Sequence, residues 1–427
     1  ALDEGKKITV FGDYDCDGIT STAMLYGYLN AMGAEADYYI PDRSEGYGMN
    51  LEALKHILDS GTELIITVDN GISAVEEAKY IAERGAQLVI TDHHQPPQEL
   101  PVCEACVDPH RADDNSPFKE LCGAGVVLKL LCALEEDEDF VLEQYADLAA
   151  VGTVADVMPL IGENRFIVRR GLENIHSSQN QGLDKLIRSA GIEPVRVDST
   201  SIAFSIAPRI NAVGRIARAD RAVELLLTRD PQRGLALAQE LCQLNRERQA
   251  IEGDIFQQCV QRLTEQPQSG AIVLADQQWH QGVVGIVASR LSEKYSRPSF
   301  MIHLNGGVGK GSCRSYGGVN LFQALSFCAD LLEGFGGHAL AAGFTVREEN
   351  IPALAAGLRQ AVAQQLNGAP PASVLKADAA VPPQLLTVEQ IQALDWLEPC
   401  GAGNPRPVLV LNGAFVQSMT QVGRGRH

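Results

Sequence analysis

Short apolar runs alternate with amphipathic helical runs through the first half of the chain. The strand-like runs are "KKITVFGD", "ADYYIP", "ELIITVD", "AQLVITD" and "ACVDP". The helix-like runs between them are "STAMLYGYLNAMG", "NLEALKHILDSG", "AVEEAKYIAERG" and "GAGVVLKLLCALEE". Nearly continuous apolar strands separated by amphipathic helices are typical of a doubly wound α/β fold. We therefore predict a parallel sheet covered by helices on both faces.

The second half of the chain begins with a long helical pattern. Residues 231–262 carry no internal proline and have no obvious partner helices, so we predict a helix that links two domains. A smaller α/β unit is predicted to follow, with "GAIVLAD", "PSFMIHLNGGVGKGSCRS" and "HALAAGFTV" as its β-like runs. The last 55 or so residues turn β-like and resemble the beginning of a third domain. The predicted boundaries are 1–195, 196–266, 267–368 and 372–427.

Composition and charge narrow the class of protein. Hydrophobic residues make up 45% of the chain, no run reaches the roughly 18 apolar residues of a membrane span, and no export signal is visible. The ten cysteines follow no disulfide framework, so we expect reduced thiols and a cytoplasmic location. Cys103 and Cys106 form a lone CxxC pair, interpreted as two small, partly buried residues. The net charge of −19 argues against a generally basic nucleic-acid surface but not against a local basic groove.

Acidic and imidazole side chains recur where the predicted strands end. In an open parallel sheet the carboxyl ends of the strands meet at one edge, where ligands bind. Carboxylates mixed with histidine suit Mn²⁺, Mg²⁺ or a similar divalent ion, and this number of carboxylates makes a pair of bridged ions plausible. Each aspartate alone could instead cap a helix or close a turn. Four ends that all carry such side chains favour a metal site. Its candidate residues are Asp15, Asp17, Asp69, Asp92, His93, His94 and Asp156.

The motifs that contain these residues resemble a known superfamily. "GDYDCDG", "VDNG", "TDHH" and "GTVADVMPL" occur in the order and spacing of the DHH phosphoesterases. The elements "APRINAVGR", "WHQGVVGIVASR", "GKGSCRS" and "GGHALAAGF" resemble its bacterial RecJ branch of single-strand-specific 5′→3′ DNA exonucleases. The resemblance implies a DHH domain at 1–195, a connecting helix, a DHHA1 domain at 267–368 and a partial OB-like domain at 372–427. The expected function is metal-dependent hydrolysis of single-stranded DNA to nucleotides, in DNA recombination and repair.

The resemblance also implies a role for each residue of the metal site. Asp15 would bind one ion, Asp17 the other, and Asp69 would bridge both. His93 and Asp156 would complete the second site, with His94 near the scissile phosphate and Asp92 orienting the imidazoles. Many superfamily members have a histidine where this chain has Phe11, so one ion is expected to be weakly held. We expect a structural or supporting role for Asp13. We also expect the first helix to begin at Ser21 and Thr22.

A second group of residues is expected to hold the strand. Glycine-flanked arginine and serine side chains suit phosphate, because the backbone can approach closely and a guanidinium binds phosphate through two hydrogen bonds. For any one arginine the alternative is a surface ion pair, and Tyr47 is either a base-stacking platform or a packed loop residue. The candidates are Arg43, Tyr47, Arg209, Asn211, Arg215, Lys310, Ser312, Arg314 and His338.

Two other functions remain open from the sequence. One is a DHH enzyme that acts on short oligoribonucleotides or phosphoadenosine phosphate, although such relatives are typically shorter. The other is a non-catalytic single-strand-binding scaffold, which would be expected to lose metal ligands that this chain keeps. For the exonuclease, the expected partners are single-stranded DNA, a single-strand-binding protein and a RecQ-type helicase, with the chain acting as a monomer.

Overall fold

The first part of the chain folds around a five-stranded parallel sheet. The computed structural model describes residues 1–43, 45–46, 48–177, 179–366 and 375–420. The strands occur in the order β2-β1-β3-β4-β5. Their bounds are β1 (Ile8–Phe11), β2 (Ala36–Tyr39), β3 (Leu64–Val68), β4 (Gln87–Thr91) and β5 (Ala105–Val107). All neighbouring pairs are parallel, as the apolar pattern predicts.

Helices cover both faces of this sheet. Along β1, Ile8 and Val10 enter one core and Phe11 enters the other, because successive side chains of a strand point to opposite faces. The helices are α1 (Cys16–Ala31), α2 (Leu51–Asp59), α3 (Val75–Glu83), α4 (Gly123–Glu135), α5 (Glu138–Ala155), α6 (Gly162–Ser177) and α7 (Gln181–Ser189). The smaller core lies under α2 and α3, and the larger core lies under α1, α4 and α5. The doubly wound α/β prediction is confirmed.

Helix α1 begins five residues earlier than the sequence indicated. The side chain of Asp15 accepts hydrogen bonds from the backbone N–H groups of Asp17 and Gly18, at 3.0 and 3.1 Å, and so caps a helix that begins at Cys16. Ser21 and Thr22 therefore lie inside the helix and are buried, and their expected position at its N-terminus is wrong.

A helical segment connects the first domain to the second. It contains α8 (Ser199–Ser201), a π-helical turn (Ile202–Ile206), α9 (Ala207–Ile216), α10 (Asp220–Leu227) and α11 (Pro231–Glu265). Helix α11 does have partner helices, contrary to expectation, since it contacts α7 and α9. Its Leu237 and Leu241 enter the larger core of the first domain, whereas Ile255 and Cys259 enter a core that includes Trp279. The sequence pattern alone could not show which helices would pack against the two halves of α11.

The second domain is a five-stranded mixed sheet in the order β6-β7-β8-β10-β9. Its strands are β6 (Ile272–Asp276), β7 (Ser299–Asn305), β8 (Val308–Arg314), β9 (Leu332–Gly337) and β10 (Ala341–Arg347). Its helices are α12 (Gln281–Tyr295), α13 (Leu321–Ser326) and α14 (Ile351–Gln365). Strand β9, "LEGFGG", is not predicted by its sequence, because glycine is depleted in strands.

The last described residues pack against the first domain. Strands β11 (Ala379–Ala380) and β12 (Leu409–Val410) form a short parallel pair, with α15 (Val388–Gln392) and 3₁₀ turns between them. Within the described residues 375–420, the expected β character consists of these two short strands. Arg165 donates hydrogen bonds to the carbonyl oxygens of Leu397 and Glu398, both at 2.9 Å. Among the helices in the described part of the chain, none is long and apolar enough to cross a membrane.

Candidate metal centre and strand-binding cleft

Eight acidic and imidazole side chains meet at one edge of the first sheet. Asp13, Asp15 and Asp17 follow β1, Asp69 follows β3, and "DHH" follows β4. Asp156 reaches the same edge as the C-terminal cap of α5. Parallel strands place their carboxyl ends together, which explains why residues distant in sequence converge. Asp13, Asp17, Asp69 and Asp92 are each at most 2% exposed.

The ligand atoms of these side chains form three overlapping groups. Within each group the atoms lie within 4.8 Å of one another. The Nε2 atom of His93 lies 3.0 Å from an oxygen of Asp69, 3.7 Å from Asp156 and 3.8 Å from Asp17. Asp69 thus belongs to groups on both sides of the cluster, as a bridging ligand would. The groups are Asp13–Asp15–Asp69, Asp17–His93–Asp156 and Asp69–His93–His94.

Backbone amides hold the carboxylate of Asp17. Its two oxygens accept hydrogen bonds from the N–H groups of Gly123 and Ala124, at 2.6 and 2.9 Å, at the positive N-terminus of α4. Each carboxylate oxygen keeps a further lone pair for a cation. A Cβ atom at Gly123 would lie 2.6 Å from Asp69, and one at Gly152 would lie 2.7 Å from an oxygen of Asp17. Sequence analysis did not identify these glycines, because their role is visible only when the helices are packed.

The carboxylates of the cluster are costly to ionise without a cation. Burial and the charge of Asp15 raise the pKa of Asp13 well above its usual value, and burial and the charge of Asp17 do the same to Asp69. The same two causes, burial and Asp17, raise the pKa of Asp156 to about 8. One oxygen of Asp13 is buried without a hydrogen-bond partner. The cluster therefore fits divalent cations, which supply the positive charge that the protein does not.

The two adjacent histidines have opposite electrostatic character. Burial lowers the pKa of His93, so its imidazole is neutral and suited to bind a metal. Burial also lowers the pKa of His94, but the hydrogen bond with Asp92 and the negative charges of Asp92, Asp156 and Asp15 together outweigh that effect and raise the pKa to about 9. Asp92 accepts at 2.8 Å from Nδ1 of His94, and also from backbone N–H groups of Ile72 and His93. Asp92 thus holds the imidazole of His94 and the backbone at His93 in place.

Several of the predicted strand-binding residues lie between the two domains. Arg43 donates from Nε to the carbonyl oxygen of Gly214 at 3.1 Å and stacks on Tyr14 at 4.1 Å. Arg215 donates to the carbonyl oxygen of Gly282 at 2.9 Å. Burial and the charge of Arg43 lower the pKa of Arg215 to about 10. Arginines that repel one another in a buried setting are suited to receive an anion.

The remaining predicted strand-binding residues lie on β8, just beyond β9 and on α9. Lys310, Ser312 and Arg314 alternate along β8 and share one of its faces, and Lys310 is exposed. His338 is exposed just beyond β9. Arg209 donates to the carbonyl oxygen of Ser205.

The side-chain oxygen of Asn211 accepts a hydrogen bond at 2.9 Å from the N–H of Cys16, at the start of α1, and its strand-binding role stays a prediction. Tyr47 lies outside the described residues. Burial raises the pKa of Cys106 to about 11, and the metal-ligand groups found among the described residues do not include Cys103 or Cys106.

Three family models match successive parts of the chain. Residues 7–153 match the DHH family N-terminal domain, residues 249–364 the DHHA1 domain and residues 377–427 the RecJ OB domain. Together with the parallel sheet and its acidic edge, these matches define a DHH-type protein with an appended DHHA1 domain.

Individual relatives identify the family within this class. The chain is 40% identical over 430 residues to the Bacillus subtilis "Single-stranded-DNA-specific exonuclease RecJ", covering 100% of this chain and 54% of that protein. It is 34% identical over 433 residues to the Escherichia coli protein of the same name, covering 96% of this chain and 75% of that protein. The chain belongs to the RecJ family.

A solved structure supports the same assignment. The crystal structure of RecJ in complex with Mn²⁺ from Thermus thermophilus aligns with a TM-score of 0.85 and 39% identity. The alignment covers 96% of this chain and 60% of that one. This chain spans about half the length of the Bacillus subtilis relative.

Proposed function

We propose that this chain hydrolyses single-stranded DNA from its 5′ end to nucleotides, with two Mn²⁺ or Mg²⁺ ions bound at the acidic edge of the first sheet. The observation that carries the proposal is the pair of ligand groups that share Asp69 and lie beside a half-buried arginine cluster, which consists of Arg43, Arg215 and Arg314. We further propose the domain division 1–195, 196–266, 267–368 and 372–427. Catalysis would take place in residues 1–195, and residues 267–368 would form the substrate-binding domain.

The proposed ligands divide into two sets around Asp69. Asp17, His93 and Asp156 would hold one ion, and Asp15 with Asp13 would hold the other, each set completed by Asp69. This gives Asp13 a direct role, because its unpartnered oxygen lies in the group that lacks an imidazole where Phe11 stands. Two bound cations would supply Lewis-acid activation of water and neutralisation of charge at the phosphate.

The surrounding side chains would orient the phosphate. Protonated His94, held by Asp92, would donate a hydrogen bond to an oxygen of the scissile phosphate. Arg43 and Arg215, with Arg314 nearby, would hold the strand end, since Arg43 and Arg314 both lower the pKa of Arg215 through their charge. Local positive charge of this kind reconciles strand binding with a net charge of −19.

The two alternatives are less well supported. A scaffold relative would not need the complete ligand set, and the Bacillus subtilis and Escherichia coli relatives are named as exonucleases. An oligoribonuclease would prefer a dinucleotide. Offering a long single strand of DNA and a dinucleotide RNA in parallel with Mn²⁺ separates these functions, and preference for the dinucleotide would overturn the proposal.

Strand polarity is tested with single strands labelled at either end. Early release of a 5′-terminal label as a mononucleotide is expected, with slow release of a 3′-terminal label. The reverse order would contradict the proposed polarity. A blunt duplex is the matched substrate control, and equal rates on duplex and single strand would contradict a cleft of single-strand width.

We also propose that the chain acts as a monomer in the cytoplasm and receives strands from a single-strand-binding protein and a RecQ-type helicase. The support is the proposed substrate, which such proteins generate and cover. Light scattering would test the monomer. A pull-down with each purified partner would test the two contacts, and absence of binding by both would contradict them.

A further inference from the structure

A cavity of about 620 Å³ opens between the two α/β domains beside the arginine cluster. From the first domain it is lined by Arg43, and from the connecting helical segment by the end of α9 with the residues that follow, up to Arg218. From the second domain it is lined by Gln278, His280 and the first residues of α12. The cavity is therefore built from both domains and lies outside the metal-ligand groups.

Two arginines connect this cavity to the proposed strand-end site. Arg43 and Arg215 line the cavity. Arg43 also stacks at 4.1 Å on Tyr14, the residue between Asp13 and Asp15. Gly214, directly before Arg215, approaches the same turn, since a Cβ atom there would lie 2.3 Å from the carbonyl oxygen of Tyr14. A phosphate held by these arginines would thus lie between the metal centre and the cavity.

The cavity lining is suited to further anionic groups. Arg218 contributes a side chain that is 79% exposed, and its ion pair with Asp220 is loose at 3.6 Å. The N-terminus of the 15-residue helix α12 lines the cavity, where the N–H of Gly282 donates to Nδ1 of the cap residue His280 at 3.1 Å, and this end of the helix carries partial positive charge. His303 also lines it, with a buried Nδ1 that has no hydrogen-bond partner. Among the described lining residues, Asp42 is the one carboxylate.

We propose that this cavity accepts the outer phosphates of a strand with a 5′-triphosphate, so that the chain also degrades triphosphorylated ends. The proposal rests on the proposed function and extends its substrate class. The cavity is larger than a single terminal phosphate requires, and its positive lining continues beyond the two arginines that would bind that phosphate.

The reaction has a distinctive first product. Water attacks the phosphorus atom between the first and second nucleotides, the bond to the 3′-oxygen of the first nucleotide breaks, and that oxygen leaves as a hydroxyl group. The first nucleotide therefore departs as a nucleoside 5′-triphosphate, and the shortened strand begins with a 5′-monophosphate. Every later product is a nucleoside monophosphate.

The test compares one single-stranded DNA sequence carrying a 5′-hydroxyl, a 5′-monophosphate or a 5′-triphosphate. Anion-exchange chromatography of early products is expected to show one nucleoside triphosphate per triphosphorylated strand consumed. Arg218→Ala is expected to lower kcat/KM for the triphosphorylated strand by about tenfold, the effect of losing roughly 1.4 kcal/mol of charge-assisted binding, without changing the monophosphate rate. Arg221→Ala, which removes an arginine paired with Glu224 on α10, is the matched control.

The outcomes separate this inference from the function on which it rests. If the monophosphorylated strand is consumed and the triphosphorylated strand is not, the inference is wrong and the exonuclease proposal stands. If none of the three strands is consumed, the exonuclease proposal itself fails. Equal losses for both phosphorylated strands in Arg218→Ala would also overturn the inference.

Discussion

Asp69 occupies a backbone conformation that few side chains adopt. Its φ of 62° lies in the left-handed region, which aspartate tolerates better than branched or bulky residues. Val157, directly after the proposed ligand Asp156, has a similar φ of 59°, which is less favourable for a β-branched residue. The backbone is thus strained beside two proposed ligands. Strain of this kind is maintained when the surrounding packing leaves no alternative, as the contact between Gly123 and Asp69 indicates.

Replacing Asp69 tests the bridging role directly. Asp69→Asn keeps the size and the left-handed preference of the residue but removes the charge shared by both ligand groups. We expect hydrolysis to fall by at least about 100-fold, the upper range for supporting residues of metal sites, with weaker Mn²⁺ binding by calorimetry.

Asp147→Asn is the matched control for this variant, because Asp147 is also fully buried but lies outside the ligand groups. It should retain metal binding and activity. Unchanged hydrolysis in Asp69→Asn would place the active centre elsewhere.

Helix α5 carries a buried acid that the proposed chemistry does not use. Asp147 accepts a hydrogen bond from the N–H of Leu148 at 2.7 Å, and burial raises its pKa to about 7. Its folded-state pKa is higher than its unfolded value, near 3.8. The protonated folded state is therefore favoured at low pH, and this advantage disappears as the pH rises through about 7.

Asp147→Asn should remove this pH dependence. The amide keeps an acceptor oxygen and has no charge to desolvate, so we expect the variant to gain stability over the parent at pH 8, by up to about 4 kcal/mol, and little at pH 4. Urea unfolding at both pH values measures this. A gain that is equal at the two pH values would show that the ionisation of Asp147 is not its cause.

Helix α11 depends on a buried ion pair near its middle. Glu252 accepts from Arg248 at 2.6 Å and from Arg290 of α12 at 2.8 Å. Glu252→Gln would leave Arg248, which is 8% exposed, without its negative partner. We expect a loss of about 3–5 kcal/mol in the free energy of unfolding, measured with urea. Glu247→Gln, an exposed change on the same helix, should cost little, and equal losses would contradict a role for the buried pair.

The elements were more predictable from sequence than the contacts between them. The strands of the first sheet and the aspartates at their ends follow from apolar runs that finish in acidic residues, because period and composition are local properties. The amide cradle for Asp17 joins residues 106 positions apart, and the partners of α11 are likewise set by tertiary packing that no local pattern shows. Asn211 illustrates the limit, because its residue type could not show that its side-chain oxygen accepts a hydrogen bond from the N–H of Cys16, at the start of α1.

At the scale of the whole molecule, the cleft between the domains gives a prediction about salt. Each arginine that neutralises a phosphate of a single strand should contribute about 0.7 to the slope of log affinity against log salt concentration. Arg314→Ala should reduce the magnitude of that slope by about this amount, measured by fluorescence anisotropy with Ca²⁺ in place of the active metal. Arg170→Ala, which removes a surface arginine paired with Glu173 on α6, should leave the slope unchanged, and an unchanged slope in Arg314→Ala would remove it from the cleft.

The uninterrupted helix α11 has a consequence for the length of the products that the proposed exonuclease would release. Its 35 residues extend about 50 Å, carry proline only at the first position and enter the cores of both domains. Under the proposed function, the grip on the strand end and the cutting centre are therefore at a fixed separation. This separation is set by the helix and does not depend on the bases of the strand. The length of the released piece is therefore the same whatever bases it contains.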